Sequence, residues 1–325
     1  MACPISSAST FELYQIDTFL LDALVCVYSQ RELGGSMRRL VIAAFVVVST
    51  VASAGIASAE PASPQGDGWE GRYAGVTIGV HWGGDQVRTS ASNNQFCPPG
   101  TCSHASEAAQ AAIQGETGEF PVNVEAVIGG GQFGYNWKLS DRWVAGIETD
   151  IQGLADWQNA SSASTSADVS GFANHSVVTY LTATKRVDFL GTLRGRVGYL
   201  VTPRLLVYGT GGFAYGYVHA DTSITHHFTG SGLGAIQTEF GSTSSVSRMQ
   251  GGWTLGGGFE WMLSPSWSAK TEYLYYDLGT ASYNGQVADE IVIPSPPLPY
   301  YFVNDVNSST RFNGNIFRIG LNYRF

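Results

Sequence analysis

Eight charged residues recur at spacings that gather them on one side of an extended chain. Glu148 and Asp150, Arg194 and Arg196, and Lys270 and Glu272 each stand two apart, while Glu260 and Arg318 sit in segments of the same alternating kind. Residues two apart in a strand share a face. Facing carboxylates raise the chemistry of general acid–base catalysis. Four acids against four bases predict instead a near-neutral network of salt bridges, because unpaired ions in an interior are costly. A narrow charged path is the next reading.

Other candidate chemistry is weaker. Gly129 to Gly134 fits G-x-G-x-x-G, but the residues after it continue a strand into a turn, and a dinucleotide site needs a helix there. His226-His227, with His104 and His175 elsewhere, offers metal- or haemin-binding side chains, yet two adjacent histidines in a polar loop preorganise no geometry, so a solvated loop is expected. No G-x-S-x-G elbow occurs, and no Ser/His/Asp set at a strand end is evident. No catalytic residue, metal ligand or cofactor is therefore assigned.

Composition limits the elements that hold these residues. Of 325 residues 44% are hydrophobic and only 13% charged, about half the usual charged share. Aromatics reach 12% and glycines number 40. So many aromatics and so few charges exclude disorder. A net charge of −9 with scattered bases leaves no footprint for nucleic acid.

The N-terminus reads as export. Arg38-Arg39, the apolar run Leu40 to Val48 and Ala57-Ser58-Ala59 form a secretory signal peptide over 37–59, with cleavage expected after Ala59. Residues 1–36 then read as an over-long gene start without function, 60–68 as a short linker and 69–325 as the barrel domain argued below. After cleavage only Cys97 and Cys102 remain, five apart in a turn-rich segment, and an oxidising compartment predicts a loop-stapling disulfide between them.

Period-2 alternation predicts eight strands: Arg72–Trp82, Val124–Lys138, Trp143–Ala155, Val187–Leu200, Leu205–Val218, Gly252–Leu263, Trp267–Asp277 and Phe317–Phe325. No segment between them shows a helical period. Three connections are tight turns around Ser140-Asp141, Pro203 and Pro265, whereas the other four run to roughly 30–40 residues rich in Ser, Thr, Asn and Gly. Long loops at one end and short turns at the other are the pattern of an outer-membrane barrel. The charged face of these strands is also the small, glycine-rich face, which suits the narrow lumen of an eight-stranded barrel. The large aromatic face then belongs in lipid, with Trp82, Trp137, Trp143, Trp157, Trp261 and Trp267 at the interfaces. The predicted fold class is all-β, an eight-stranded antiparallel transmembrane β-barrel with short periplasmic turns and long extracellular loops.

Four segments carry a family resemblance: Gly129-Gly130-Gly131-Gln132-Phe133-Gly134-Tyr135-Asn136-Trp137, Thr192-Leu193-Arg194-Gly195-Arg196-Val197-Gly198-Tyr199, Lys270 to Gly279, and the close Arg318 to Phe325. Together they resemble the small outer-membrane surface antigens of alphaproteobacteria, the outer-membrane immunogenic or porin-family proteins with an OmpA-like barrel. The resemblance implies that Phe325 ends the signal read by barrel-assembly machinery. It implies further a non-enzymatic role in the envelope, with outer-membrane lipid and lipopolysaccharide as surroundings and host or surface ligands at the loops. A porin-like channel for small solutes is the alternative; a haemin- or metal-binding receptor ranks below it. The stretch Ile291 to Pro299, IVIPSPPLP, is rigid and apolar for an outer loop, and covering the barrel mouth or meeting a partner are equally open readings.

Overall fold

The computed structural model describes residues 68–93, 103–171, 173–230, 239–294 and 297–325. The segment 1–36, the signal peptide with Ala59, and Cys97 and Cys102 lie outside the described residues.

The elements are β1 (Gly71–Asn93), α1 (Ser103–Glu116), β2 (Gly118–Lys138), β3 (Trp143–Gln158), β4 (Ala160–Asp168), β5 (His175–Thr202), β6 (Leu205–Gly230), β7 (Glu239–Met262), β8 (Trp267–Pro294) and β9 (Pro297–Arg324). Every pairing is antiparallel, in the order β3-β2-β1-β9-β8-β7-β6-β5-β4 with β3 also on β5, so the sheet closes on itself. Nine strands make eight staves. β3 and β4 both pair with β5, in succession, and the chain between them breaks strand for Asn159 alone.

Closure puts alternate residues inside, and two irregularities reset the phase. A bulge between Val187 and Phe189 lets Leu181, Ala183 and Lys185 face inward, as do Thr192, Arg194 and Arg196 beyond it. A second, between Asp277 and Thr280, contains Gly279 at φ 82°, a backbone that glycine adopts without a Cβ penalty.

Two expectations are corrected. Most of the supposed long loops are strand: β5, β8 and β9 each run 28 residues, about three times what crosses a bilayer. The polar composition hid an inward alternation of small apolar residues (Val122, Leu181, Ala183, Ile224, Val306) behind outward Ser, Thr and Asn. A helix also exists where none was expected. α1 buries Ala108, Ala109, Ala111 and Ala112 against Ala167, Val169 and Val177. A stripe of alanines is helix-forming but nearly silent in hydropathy, which explains the miss.

Beyond the tight-turn half, the wall divides. The β7–β8 ladder stops at Trp253–Asp277 and the β2–β3 ladder at Glu125–Gln158, while β4 pairs only with β5. Among the described residues this leaves two four-stranded sheets, β4-β5-β6-β7 and β2-β1-β9-β8. Their inner faces pack through Leu181, Ala183 and Ile224 on one side and Val87, Val122, Val287 and Val306 on the other. α1 lies between them at the far end, touching β4 and β5 as well as β1 and β9.

Candidate functional site: the charged lumen and the outer wall

The structure brings all eight sequence-predicted charges into one buried cluster, each at most 4% exposed. β3 supplies Glu148 and Asp150, β5 supplies Arg194 and Arg196, β8 supplies Lys270 and Glu272, and β7 and β9 supply Glu260 and Arg318. Arg194 sits at the centre. Its Nη2 lies 2.7 Å from Asp150, its Nη1 3.1 Å from Glu272, and it also pairs with Glu148. Thr192 fixes this geometry by accepting from Arg194 Nε at 2.9 Å and donating to Asp150 at 2.8 Å. Arg318 spans Asp150 at 3.0 Å and Glu272 at 2.8 Å, and Lys270 Nζ donates to both oxygens of Glu148 at 2.9 and 3.0 Å.

Toward the tight turns the network continues through groups the sequence reading did not single out. Tyr73 donates to Glu148 at 2.7 Å and accepts from Arg196 at 3.0 Å; Tyr208 donates to Glu272 at 3.0 Å beneath the Arg196 guanidinium. Glu260 accepts from Arg196, from Ser268 at 2.6 Å and from Arg324 at 2.9 Å. Arg324 in turn lies 4.3 Å over the ring of the buried Trp69. Arg324 stands on the same alternation as Arg318, so its spacing could have found it. The two tyrosines break the small-residue rule of the inner face, and no motif marks them.

The cluster is sealed at both ends. Trp69, Val144, Leu200, Leu206 and Met262 close the tight-turn end. On the other side lies a layer containing Ile128, Leu190, Leu274, Tyr276, Phe312 and Ile316. Each carboxylate is already held by two or more donors, so none is open to act as acid or base on a substrate. Such a filled interior is what eight staves leave room for.

Two other candidates move, and the glycine run stays in the strand expected for it. His226 is not in a solvated loop: it is fully buried on β6, its Nε2 3.1 Å from Glu116 Oε1 of α1, while Asn304 donates to the other oxygen at 3.0 Å. His175 begins β5, and the side chain of His104 lies outside the described residues. Gly129 to Gly134 is continuous strand, without the helix that a nucleotide site requires. Ile291 to Pro294 ends β8 and Pro297 opens β9, so this stretch is strand rather than loop where described.

A Ser/His/Asp arrangement, not anticipated, does exist on the outer wall. His219 on β6 bonds Ser247 across the strand pair through Nδ1 and meets Asp221 at 2.7 Å through Nε2. It lies on the open face of a sheet, with no cleft described there to hold a substrate or converge donors on an oxyanion. No group of residues that could hold a metal is found among the described residues.

The outer wall itself carries the strongest physical signal. Phe317, Ile319, Leu321 and Tyr323 on β9 and Phe325 just past its end are exposed, as are Val76, Ile78, Val80 and Trp82 on β1 and Leu255, Phe259 and Trp261 on β7. A continuous apolar belt this large has no place in water. At the C-terminus it spans 317–325, the length that crosses a hydrocarbon core at a tilt. Aromatic pairs edge it on both sides: Trp143–Tyr199 and Trp267–Tyr323 at the tight-turn end, Trp82–Tyr273 and Trp253–Tyr275 at the other. Phe325 meets the Tyr323 ring edge-to-face at 5.5 Å, and its amide donates to Arg72 O at 3.2 Å.

The chain is also similar to known proteins. The model of the outer membrane protein β-barrel domain matches residues 49–325. The chain is 31% identical over 292 residues to the 31 kDa outer-membrane immunogenic protein of Brucella melitensis, covering 87% of this chain and 97% of that one. The Brucella suis protein of the same name gives the same figures. Among solved structures, the outer membrane protein OprG of Pseudomonas aeruginosa aligns at 13% identity and a TM-score of 0.32, over 80% of this chain and 98% of OprG.

Proposed function

We propose a function for this chain from one premise: it belongs to the outer membrane protein β-barrel family. It is an outer-membrane barrel protein, and our reading is that it is a closed, non-catalytic one. Its role is to present the two extracellular sheets on the cell surface, where they act as antigen and contact surface. The filled lumen carries this reading: the ion network lies between two apolar layers. Water-filled diffusion belongs to barrels with many more strands. The Brucella relatives are named as immunogenic, which fits a surface role for the Ser- and Thr-faced sheets.

In the same reading the protein is exported by a signal peptide cleaved after Ala59, and barrel-assembly machinery recognises the C-terminal strand together with the Phe325 that follows it. N-terminal sequencing of protein from outer membranes is expected to begin at Glu60. Proteoliposome swelling tests the closed lumen. Vesicles carrying the refolded protein should swell in small sugars no faster than empty ones, and fast swelling would establish the porin alternative.

A further inference from the structure

We propose that a polar hollow on the outward face of strands β8, β9 and β1, far beyond the membrane, is a binding site for a neutral saccharide. This rests on the surface reading above and gives its contact surface a ligand class. The hollow has a volume of about 430 Å³ and is lined by Ser92, Asn284, Gly285, Gln286, Asp305 and Asn307. That size is within the range of sites that hold small ligands. Strand pairing assembles it. Ser92 on β1 is paired with Asp305 on β9, and Asp305 with Gln286 on β8. One row nearer the membrane, Asn307 on β9 is paired with Asn284 on β8. Val287 and Val306 point into the core between these residues, so the five polar side chains stand on the outward face. Three strands and two rows give a grid of about 10 Å by 7 Å, the footprint of one or two sugar rings.

Height selects the kind of ligand. Asn307 and Asp305 lie eight and ten residues beyond Asn315, the β9 partner of Trp82. At the rise and tilt of barrel strands this is about 20–25 Å past the tryptophan edge. The polar layer beyond the hydrocarbon is about 5–8 Å deep, so lipid headgroups do not reach the hollow and glycan chains do.

The polar groups are also free to bind. Among the described residues the side chains of Ser92, Asn284 and Asn307 make no hydrogen bond, while Gln286 Nε2 donates to Asp305 Oδ1 at 2.7 Å and orients the carboxylate. Two open amides set donors beside acceptors, and carboxylate oxygens accept from hydroxyls. That mixture matches neighbouring sugar hydroxyls, each both donor and acceptor. A calcium ion would call for about six to eight oxygens, commonly with several carboxylates, and the hollow has one carboxylate that Gln286 engages. Asp305 sets the sign as well. Arg88, two outward positions along β1 from Ser92, is held by Glu119 at 3.0 Å, so sulfated or sialylated chains find no open base beside the acid. The outward face of the other sheet presents short hydroxyls instead, Ser162, Ser164, Thr182, Ser223, Thr225 and Thr243, which reach less far from the backbone.

The experiment measures binding of refolded protein in micelles, with EDTA present, to immobilised saccharides. The panel holds neutral host-type chains ending in galactose, N-acetylglucosamine or mannose, their sialylated and sulfated forms, and delipidated polysaccharide from the producing bacterium. Wild type should bind at least one neutral saccharide, and whether that is a host-type chain or the bacterium's own polysaccharide identifies the source. Asn284→Ala with Asn307→Ala should weaken this binding about tenfold, the loss of one or two hydrogen bonds. Ser162→Ala with Thr182→Ala, on the other sheet, should leave it unchanged. Should the double asparagine variant not fold, Asp305→Asn, which keeps an acceptor for Gln286, carries the comparison. Folded wild type that binds no neutral saccharide overturns the site, and so does equal binding by wild type and the double asparagine variant. A preference for the sulfated or sialylated forms overturns it too. Binding that appears only when calcium replaces EDTA marks a cation-bridged site and also overturns it. A wild type that gives no heat-modifiable folded band in gels is a different failure, that of the barrel reading itself.

Discussion

Arg194 on β5 and Glu272 on β8 face each other across the lumen, Nη1 to Oε1 at 3.1 Å, with both side chains closed to solvent. Neither residue is on a neighbouring stave of the other, so the pair ties opposite walls together. Removing one partner strands a charge where water cannot reach it, at a cost of about 3–5 kcal/mol. Arg194→Ala should therefore melt at a clearly lower temperature in heat-modifiability gels. The double variant Arg194→Ala with Glu272→Gln should lose less than the sum of the two single changes. Unchanged melting of Arg194→Ala would remove the network from any account of stability.

Two adjacent glycines should respond oppositely. A Cβ at Gly130 would run into the backbone of Ile151 and Gln152, whereas at Gly129 the nearest atom is Thr77 O at 3.6 Å. Gly130→Ala should reduce the folded yield, and Gly129→Ala should leave it near wild type. Equal yields would mean that β2 and β3 do not approach as closely as this packing requires.

Lys185 gives the extracellular sheets a pH dependence. It is buried between them, donates to Arg311 O and lies 5.1 Å from the Phe312 ring centre. Burial pulls its ammonium from 10.5 down to about 8, with Asp85 opposing. From about pH 8 to pH 10.5 the unfolded chain then holds more protons than the folded one, so stability rises with pH, by about 3 kcal/mol at most. Below that window the cost of the buried charge is present in full. Melting near pH 7.5 and near pH 10 should show the rise in wild type and not in Lys185→Met.

The buried His226–Glu116 contact should hold α1 rather than the barrel. His226→Leu removes the imidazole that lies 3.1 Å from Glu116 Oε1 and leaves the Asn304 bond to the other oxygen in place. Amide exchange in α1 should accelerate while the gel-shift melting of the barrel changes little. Loss of the heat-modifiable band would show instead that the sheets depend on the helix.

The membrane half of the fold was legible in the sequence because its two faces differ in kind. Leu193, Val197, Leu255 and Phe259 point outward, while Arg194, Arg196 and Glu260, with Gly198, Gly256 and Gly258 among them, mark the inner face. The same contrast located the eight lumen charges. It failed for Tyr73 and Tyr208, whose ring size suggests lipid although their hydroxyls are satisfied only inside. Beyond the membrane the outer face becomes Ser and Thr and the inner one Ala and Val, so the alternation survives while its amplitude falls. His226 and Lys185 were hidden for another reason: what buries them is sheet pairing and a helix far away in sequence.

A lumen closed by its own side chains is electrically silent, and single-channel recording in planar bilayers is the test. Refolded protein, shown to be inserted by its heat-modifiable band, should give no stable conductance steps under an applied voltage. Reproducible steps from wild type, scaling with salt concentration, would contradict a sealed lumen.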